Sequence, residues 1–274
     1  MSATARGPRA TLRAIARVPA LGLTLLCLMF VVLLVVLCPL RTTRRRMAQQ
    51  GLRWVCRVLL AALGVSIVHR GPRPPRGALV VANHLSWLDI PVVLSAWPCA
   101  FVAKREVRRW PLIGRVGDAL GVIWIDRRRP RDLLRVVPLL EQALARGEQI
   151  MLFPEGTTTD GQSVLPFRSG LYEAAVRAGA PVYPVALSGQ STSDDADALC
   201  WYADETLFHN LPRVAALRGA QITVHVGAAL SQEPNRKALA RCSRAEVVRR
   251  CRGVQRVAVG EEGWAPAWAQ PARS

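Results

Sequence analysis

Short Val-, Ile- and Phe-rich runs alternating with stretches of helical periodicity predict an α/β fold: a mixed, largely parallel sheet covered by helices, with an N-terminal membrane-associated helical segment. Three observations carry this. Residues 78–82, 99–103, 121–125, 149–153, 182–187 and 222–226 are apolar runs of strand length. Residues 87–96, 132–146 and 170–178 lie between them, and Leu133, Val136, Val137, Leu140 and Leu144 recur at helical spacing. Well before the first strand, Leu21 to Leu37 is almost wholly apolar.

That first stretch, extended by Cys38 to Leu40, comes close to the ~20 residues that cross a hydrocarbon core. It is longer than the apolar region of a signal peptide, and Leu37-Cys38-Pro39-Leu40 is not a small-residue cleavage site. Arg13 and Arg17 precede it, and a denser group, Arg41, Arg44, Arg45 and Arg46, follows. The positive-inside rule then puts Arg41 onward in the cytoplasm, predicting an inner (cytoplasmic) membrane protein whose main domain faces the cytoplasm. Val58 to Val68 is too short to span and reads as an interfacial helix flanked by Arg53, Trp54 and Arg57, or as a helix packed on the domain. Arg70-Gly71-Pro72-Arg73-Pro74-Pro75-Arg76-Gly77 breaks any helix. The predicted organisation is therefore an anchor over 1–70, a catalytic domain over 71–253 and a loose tail over 254–274 containing Trp264 and Trp268. The polar stretch Ser188 to Ala198 reads as a loop.

In parallel sheets of this kind, ligands bind beyond the strand carboxyl ends. His84 follows the first predicted strand, Lys104 the second, Asp126-Arg127 the third and Pro154-Glu155-Gly156 the fourth, so all would meet in one crevice.

A chain of 274 residues fits one substantial domain with an appendage. Its formal net charge of +18 is nearly all arginine, since Lys104 and Lys237 are the only lysines. This balance implies an anionic partner, whether a membrane surface, nucleic acid or a phosphorylated carrier, although each arginine cluster also reads as a solvated face. Seven cysteines without a Cys-x-x-Cys pair, and four histidines without ligand spacing, predict no metal site and no disulfide framework. His225, in an alternating run, reads as structural.

Within Asn83-His84-Leu85-Ser86-Trp87-Leu88-Asp89, the histidine is the strongest lead to chemistry. An imidazole titrates near neutrality, and a carboxylate can fix its tautomer and favour the imidazolium formed when it takes a proton. The same letters also read as a helix cap, Ser86-x-x-Asp89, with His84 in a turn. Ser86 has no Gly-x-Ser-x-Gly elbow around it and reads as a cap rather than a nucleophile.

Asn83-His84-x-Ser86-x-x-Asp89 resembles the first signature block of the glycerolipid acyltransferases, the family of 1-acylglycerol-3-phosphate acyltransferases. Val102-Ala103-Lys104-Arg105-Glu106, Trp110-Pro111-Leu112-Ile113-Gly114 and Gly121 to Arg127 are similar to its second block. Phe153-Pro154-Glu155-Gly156-Thr157, with Phe167-Arg168-x-Gly170 after it, resembles the third, and Val182-Tyr183-Pro184-Val185-Ala186 the fourth. Four blocks in order, between about Ala78 and Leu187, are specific.

The resemblance implies fatty acyl transfer from acyl-CoA or acyl carrier protein, as donor substrate, to the hydroxyl of a lyso-lipid at a bilayer, with no cofactor. It implies His84 as base and Asp89 as its orienting partner, with Lys104, Arg127, Glu155, Gly156, Thr157 and Arg168 contacting substrate. The leading acceptor is 1-acyl-sn-glycerol-3-phosphate, giving phosphatidic acid in phospholipid biosynthesis. One departure bears on it: the family commonly has Arg-Ser after the third block, and this chain has Thr158-Thr159-Asp160-Gly161. That variant, with Trp201-Tyr202-x-Asp204, is more similar to the branch acylating other lyso-lipids, including lyso-ornithine lipid. The rival classes are a lipid thioesterase using the same base on water, and a non-catalytic basic membrane- or nucleic-acid-binding protein. No RNA-recognition aromatic block or zinc finger is present, so nucleic acid is not an expected partner.

Overall fold

The computed structural model describes residues 8–129, 131–191, 196–202, 205–230 and 235–258. Two long helices open the chain, α1 (Pro8–Leu37) and α2 (Arg41–Ala62), divided at Cys38-Pro39-Leu40. They pack on each other around Gly51, where an added Cβ would lie 2.8 Å from Val31 Cγ1, so glycine is what allows the close approach. Val32 and Val35 are buried, while Leu26, Phe30, Leu33 and Leu37 stay exposed on the outer face.

The pair is tied to the rest of the molecule along its length. Arg13 Nε donates to Ala216 O at 3.0 Å, and Arg17 Nη1 donates to Ala215 O and Leu217 O at 2.8 and 2.9 Å. From α2, Arg45 pairs with Glu148 at 2.7 Å, and the Arg53 and Arg57 guanidiniums donate to Ser95 O.

The expected interfacial helix over Val58 to Val68 is corrected here. Helix α2 stops at Ala62, Gly64 takes a left-handed φ of 69°, and the β-branched Val65, Ile67 and Val68 enter strand β1 (Val65–Arg70). This strand pairs in parallel with β7 (Ala220–Val226), so the sheet begins ahead of the Gly71–Gly77 break.

The other strands are β2 (Leu79–Ala82), β3 (Ala100–Lys104), β4 (Ile123–Ile125), β5 (Ile150–Leu152) and β6 (Val182–Ser191). Their order across the seven-stranded sheet is β1-β7-β6-β2-β5-β3-β4. Strands β6, β2, β5, β3 and β4 run parallel, and the sheet reverses at β6 and β7, which are antiparallel. The mixed, largely parallel sheet agrees with expectation. Strand β6 runs on to Ser191 against β7, so Ser188–Ser191, expected as loop, are paired backbone.

Every residue of β2 is buried, as a central strand covered on both faces requires. Val80 and Met151 join one core with α1, α2, α3 (Asp89–Ala96), α4 (Pro111–Leu120) and α7 (Leu207–Ala216). Leu79, Val81, Ile150 and Leu152 join the other, with α5 (Asp132–Ala145), α6 (Glu173–Ala178) and α8 (Arg236–Ala258). This alternation is the period of two of a pleated strand. Helix α8 continues through Ala258; Trp264 and Trp268 lie outside the described residues.

Candidate active site

Because β2, β3, β4 and β5 are parallel, the residues that follow them gather at one end of the sheet. His84 comes two residues after β2, Lys104 ends β3, Asp126-Arg127 follows β4 and Pro154-Glu155-Gly156 follows β5.

The turn after β2 is set by side chains standing in for sheet bonds. Asn83 Nδ2 donates to Leu187 O at 2.9 Å, and its Oδ1 accepts from Leu187 N at 2.8 Å, extending the β2–β6 pairing by one residue. The chain then turns around the carboxylate of Asp89, in the first turn of α3. One oxygen, Asp89 Oδ2, lies 2.7 Å from His84 Nδ1 and accepts from Leu85 N and Ser86 N at 2.7 and 2.9 Å. A carboxylate at a helix N-terminus is also favoured by the helix dipole.

The His84 ring stacks on Phe153, centroids 4.0 Å apart. Its side chain is 15 % exposed while that of Asp89 is 2 % exposed, so the ring reaches solvent and its partner does not. With Nδ1 engaged, Nε2 has no hydrogen-bond partner among the described residues. The capping alternative is partly realised: Ser86 Oγ accepts from Leu88 N at 3.3 Å, in the same turn that holds the His–Asp pair.

Glu155 is buried beneath this turn. Its Oε1 accepts from His84 N and its Oε2 from Leu165 N, both at 2.8 Å, so the carboxylate clasps two segments of backbone. Burial pushes its pKa up to about 7, and the nearby Asp89 charge adds to the rise; the two N–H donors oppose it.

Beyond Glu155, Gly156 has a φ of 78°, a left-handed geometry that favours glycine. A Cβ there would sit 3.2 Å from the Arg168 guanidinium. Arg127 Nη1 donates to Gly156 O at 2.6 Å, and Arg168 N donates to Pro154 O at 3.0 Å. Two cations thus flank one glycine. Burial lowers the pKa of Arg127, and the neighbouring Arg168 charge lowers it further. Thr157, next in the chain, is exposed, and so is Lys104 at the end of β3, whose side chain has no hydrogen bond or ion pair among the described residues.

Sequence reasoning did not select Asn83 or Asn210 as site residues. Asn83 lies inside the quoted block, where that signal was available. Asn210 is 123 residues from Trp87, the partner it meets at 2.8 Å. Asp204, quoted with Trp201 and Tyr202 in the sequence, lies outside the described residues.

The Acyltransferase family model matches residues 65–188. The chain is 36 % identical over 170 residues to the 1-acyl-sn-glycerol-3-phosphate acyltransferase of Neisseria meningitidis, an alignment covering 61 % of this chain and 67 % of that one. It is 37 % identical over 178 residues to the lyso-ornithine lipid O-acyltransferase of Pseudomonas aeruginosa, covering 65 % of this chain and 68 % of that one. The crystal structure of the 1-acyl-sn-glycerophosphate acyltransferase from Thermotoga maritima shares the fold, with a TM-score of 0.63 at 23 % identity over 93 % of this chain and 96 % of that one. With a family match that begins at β1 and takes in the turns carrying His84, Asp89 and Glu155, the chain is an enzyme and belongs to the acyltransferase family.

Proposed function

We propose that this enzyme transfers a fatty acyl group from a thioester donor, acyl-CoA or acyl carrier protein, to the hydroxyl of a lyso-lipid held at the bilayer surface. The observation that carries this is the His84–Asp89 pair, with Nδ1 bound to a buried carboxylate and Nε2 left unbonded among the described residues. In this reading Nε2 takes the proton of the acceptor hydroxyl while Asp89 holds the tautomer and stabilises the imidazolium. The acceptor oxygen attacks the thioester carbonyl, the carbon–sulfur bond breaks, and the imidazolium returns the proton to the leaving thiolate. No acyl-enzyme is needed.

Arg127 and Arg168, converging on Gly156, favour a phosphate-bearing acceptor. This makes 1-acyl-sn-glycerol-3-phosphate the leading acceptor and phosphatidic acid its product. Thr158-Thr159-Asp160-Gly161, where lysophosphatidate enzymes commonly carry Arg-Ser, and the similarity to the Pseudomonas aeruginosa enzyme favour lyso-ornithine lipid as the second reading.

Helix α1 is long and apolar enough to cross a membrane, about 45 Å at 1.5 Å per residue. Its N-terminal half, however, is bonded to the end of α7, and Val32 and Val35 in its C-terminal half are buried. This favours a hairpin lying in the interface, with its exposed apolar face toward lipid and the crevice open to the cytoplasm, over a helix that crosses.

The test is a transfer assay in mixed micelles with labelled acyl-CoA or acyl carrier protein, lysophosphatidate and lyso-ornithine lipid being offered in parallel. His84→Ala should lower transfer by about 10²–10⁴-fold with membrane association intact. Retained transfer, or donor hydrolysis without a diacyl product, would overturn the reading.

A further inference from the structure

The turn bearing His84 is held from one side by a segment beyond the family match, which ends at residue 188. Trp201 N donates to Leu85 O at 2.8 Å, next to the histidine. The Cys200 thiol donates to Asp160 O at 3.2 Å, so the same segment also grips the loop after Glu155. Trp87 is two residues before Asp89, and its Nε1 donates to Asn210 Oδ1 at 2.8 Å.

Asn210 is fully buried on α7 and uses both ends of its amide. While Oδ1 receives the Trp87 indole, Nδ2 lies 3.3 Å from Ala198 O, 3.0 Å from Cys200 O and 3.1 Å from Glu205 Oε2. Glu205 in turn pairs with Arg213 at 2.9 Å. A neutral amide suits this place, because it must accept on one side and donate on the other. A buried polar hub satisfied in this way specifies one arrangement of its neighbours, since any other leaves polar groups without partners.

We propose that Asn210 is a positioning residue for the transfer reaction, acting through Trp87 to fix the 84–89 turn and hence the place of His84 Nε2 against the acceptor hydroxyl. Trp201 secures the same turn through the backbone. The proposal rests on His84 being the base. A shift of the ring of about 1 Å can cost up to about 10²-fold in rate even when substrate binding is untouched.

The experiment measures kcat and KM for both substrates, with the thermal midpoint, in full-length enzyme in mixed micelles. Trp87→Phe removes only the indole N–H and keeps an aromatic ring, so it is the first variant; Asn210→Ala and the double variant follow, with His84→Ala as control. The expected result is kcat lowered about tenfold by Trp87→Phe, with either KM changed less than about twofold and the midpoint close to wild type. The double variant should be no slower than Asn210→Ala alone, because both changes break one linkage.

Multiplicative losses in kcat, a rise in KM with kcat unchanged, or a lowered midpoint with normal turnover by the folded enzyme would each overturn the positioning role. If His84→Ala keeps its activity, the base assignment fails instead, whatever the Trp87 and Asn210 variants do.

Discussion

The two sides of the candidate site are built on opposite terms. Around His84 and Asp89 the polar atoms are committed: one oxygen of Asp89 serves three donors, and both oxygens of Glu155 hold backbone N–H groups. Around Gly156, the Arg127 guanidinium holds the glycine carbonyl with Glu106 near enough to act on its charge, the Arg168 guanidinium lies close by, and Lys104 at the end of β3 is exposed. On the roles proposed above, the difference divides the work. A proton-transfer group needs geometry fixed before substrate arrives, whereas an anion-binding group can keep its charge unsatisfied until the anion supplies the partner.

The strongest test of this contrast is at Asp89. Asp89→Asn keeps shape and can still accept one backbone N–H, but its amide no longer offers His84 Nδ1 the same charged acceptor. We expect kcat to fall about 10²–10³-fold with little change in either KM, measured by steady-state transfer.

The burial of Glu155 predicts a pH effect on stability. Its folded pKa of about 7 stands above the ordinary carboxylate value near 4.5, so the folded state binds the proton more tightly than the unfolded chain. The resulting stabilisation is complete below pH 4.5 and is lost as pH rises through about 7. Between pH 5 and 8 the wild type should lose on the order of 2 kcal/mol more stability than Glu155→Gln, read from denaturant midpoints. Parallel curves for the two proteins would contradict the shift.

On the cationic flank the expected effect is smaller and selective. Arg168→Ala should raise KM for a phosphate-bearing lyso-lipid about tenfold, leaving kcat and the KM of the acyl donor near wild type. An equal loss with an uncharged lyso-lipid would move Arg168 from acceptor recognition to upkeep of the loop.

The contrast also explains what could be read from the chain alone. His84 and Asp89 were legible because their pairing closes within a single turn, and the strand-end residues because parallel strands bring their carboxyl ends together. Strand β1 was hidden in a run of apolar residues that changes from helix to strand at Gly64, a switch that depends on β7 far along the chain. Helix α4 was missed because Gly114 and Gly117 weaken its pattern; in the fold they lie close to Arg108 O and the Trp124 ring, where a Cβ would not fit. Asn210 could not be read at all, since nothing beside it in sequence announces Trp87. The Arg41–Arg46 collar was legible as charge but not as the start of a helix whose Arg45 locks onto Glu148.

The pairing of β1 with β7, in register from Val65 against Ala220, sets an order of assembly. A ribosome making this chain releases the α1–α2 hairpin and β1 well before β7 exists, at roughly 5–20 residues per second. Closing a loop of that length is an entropic burden that local helix pairing does not carry. The hairpin is therefore complete while the strand that will hold β1 in the sheet is still being synthesised.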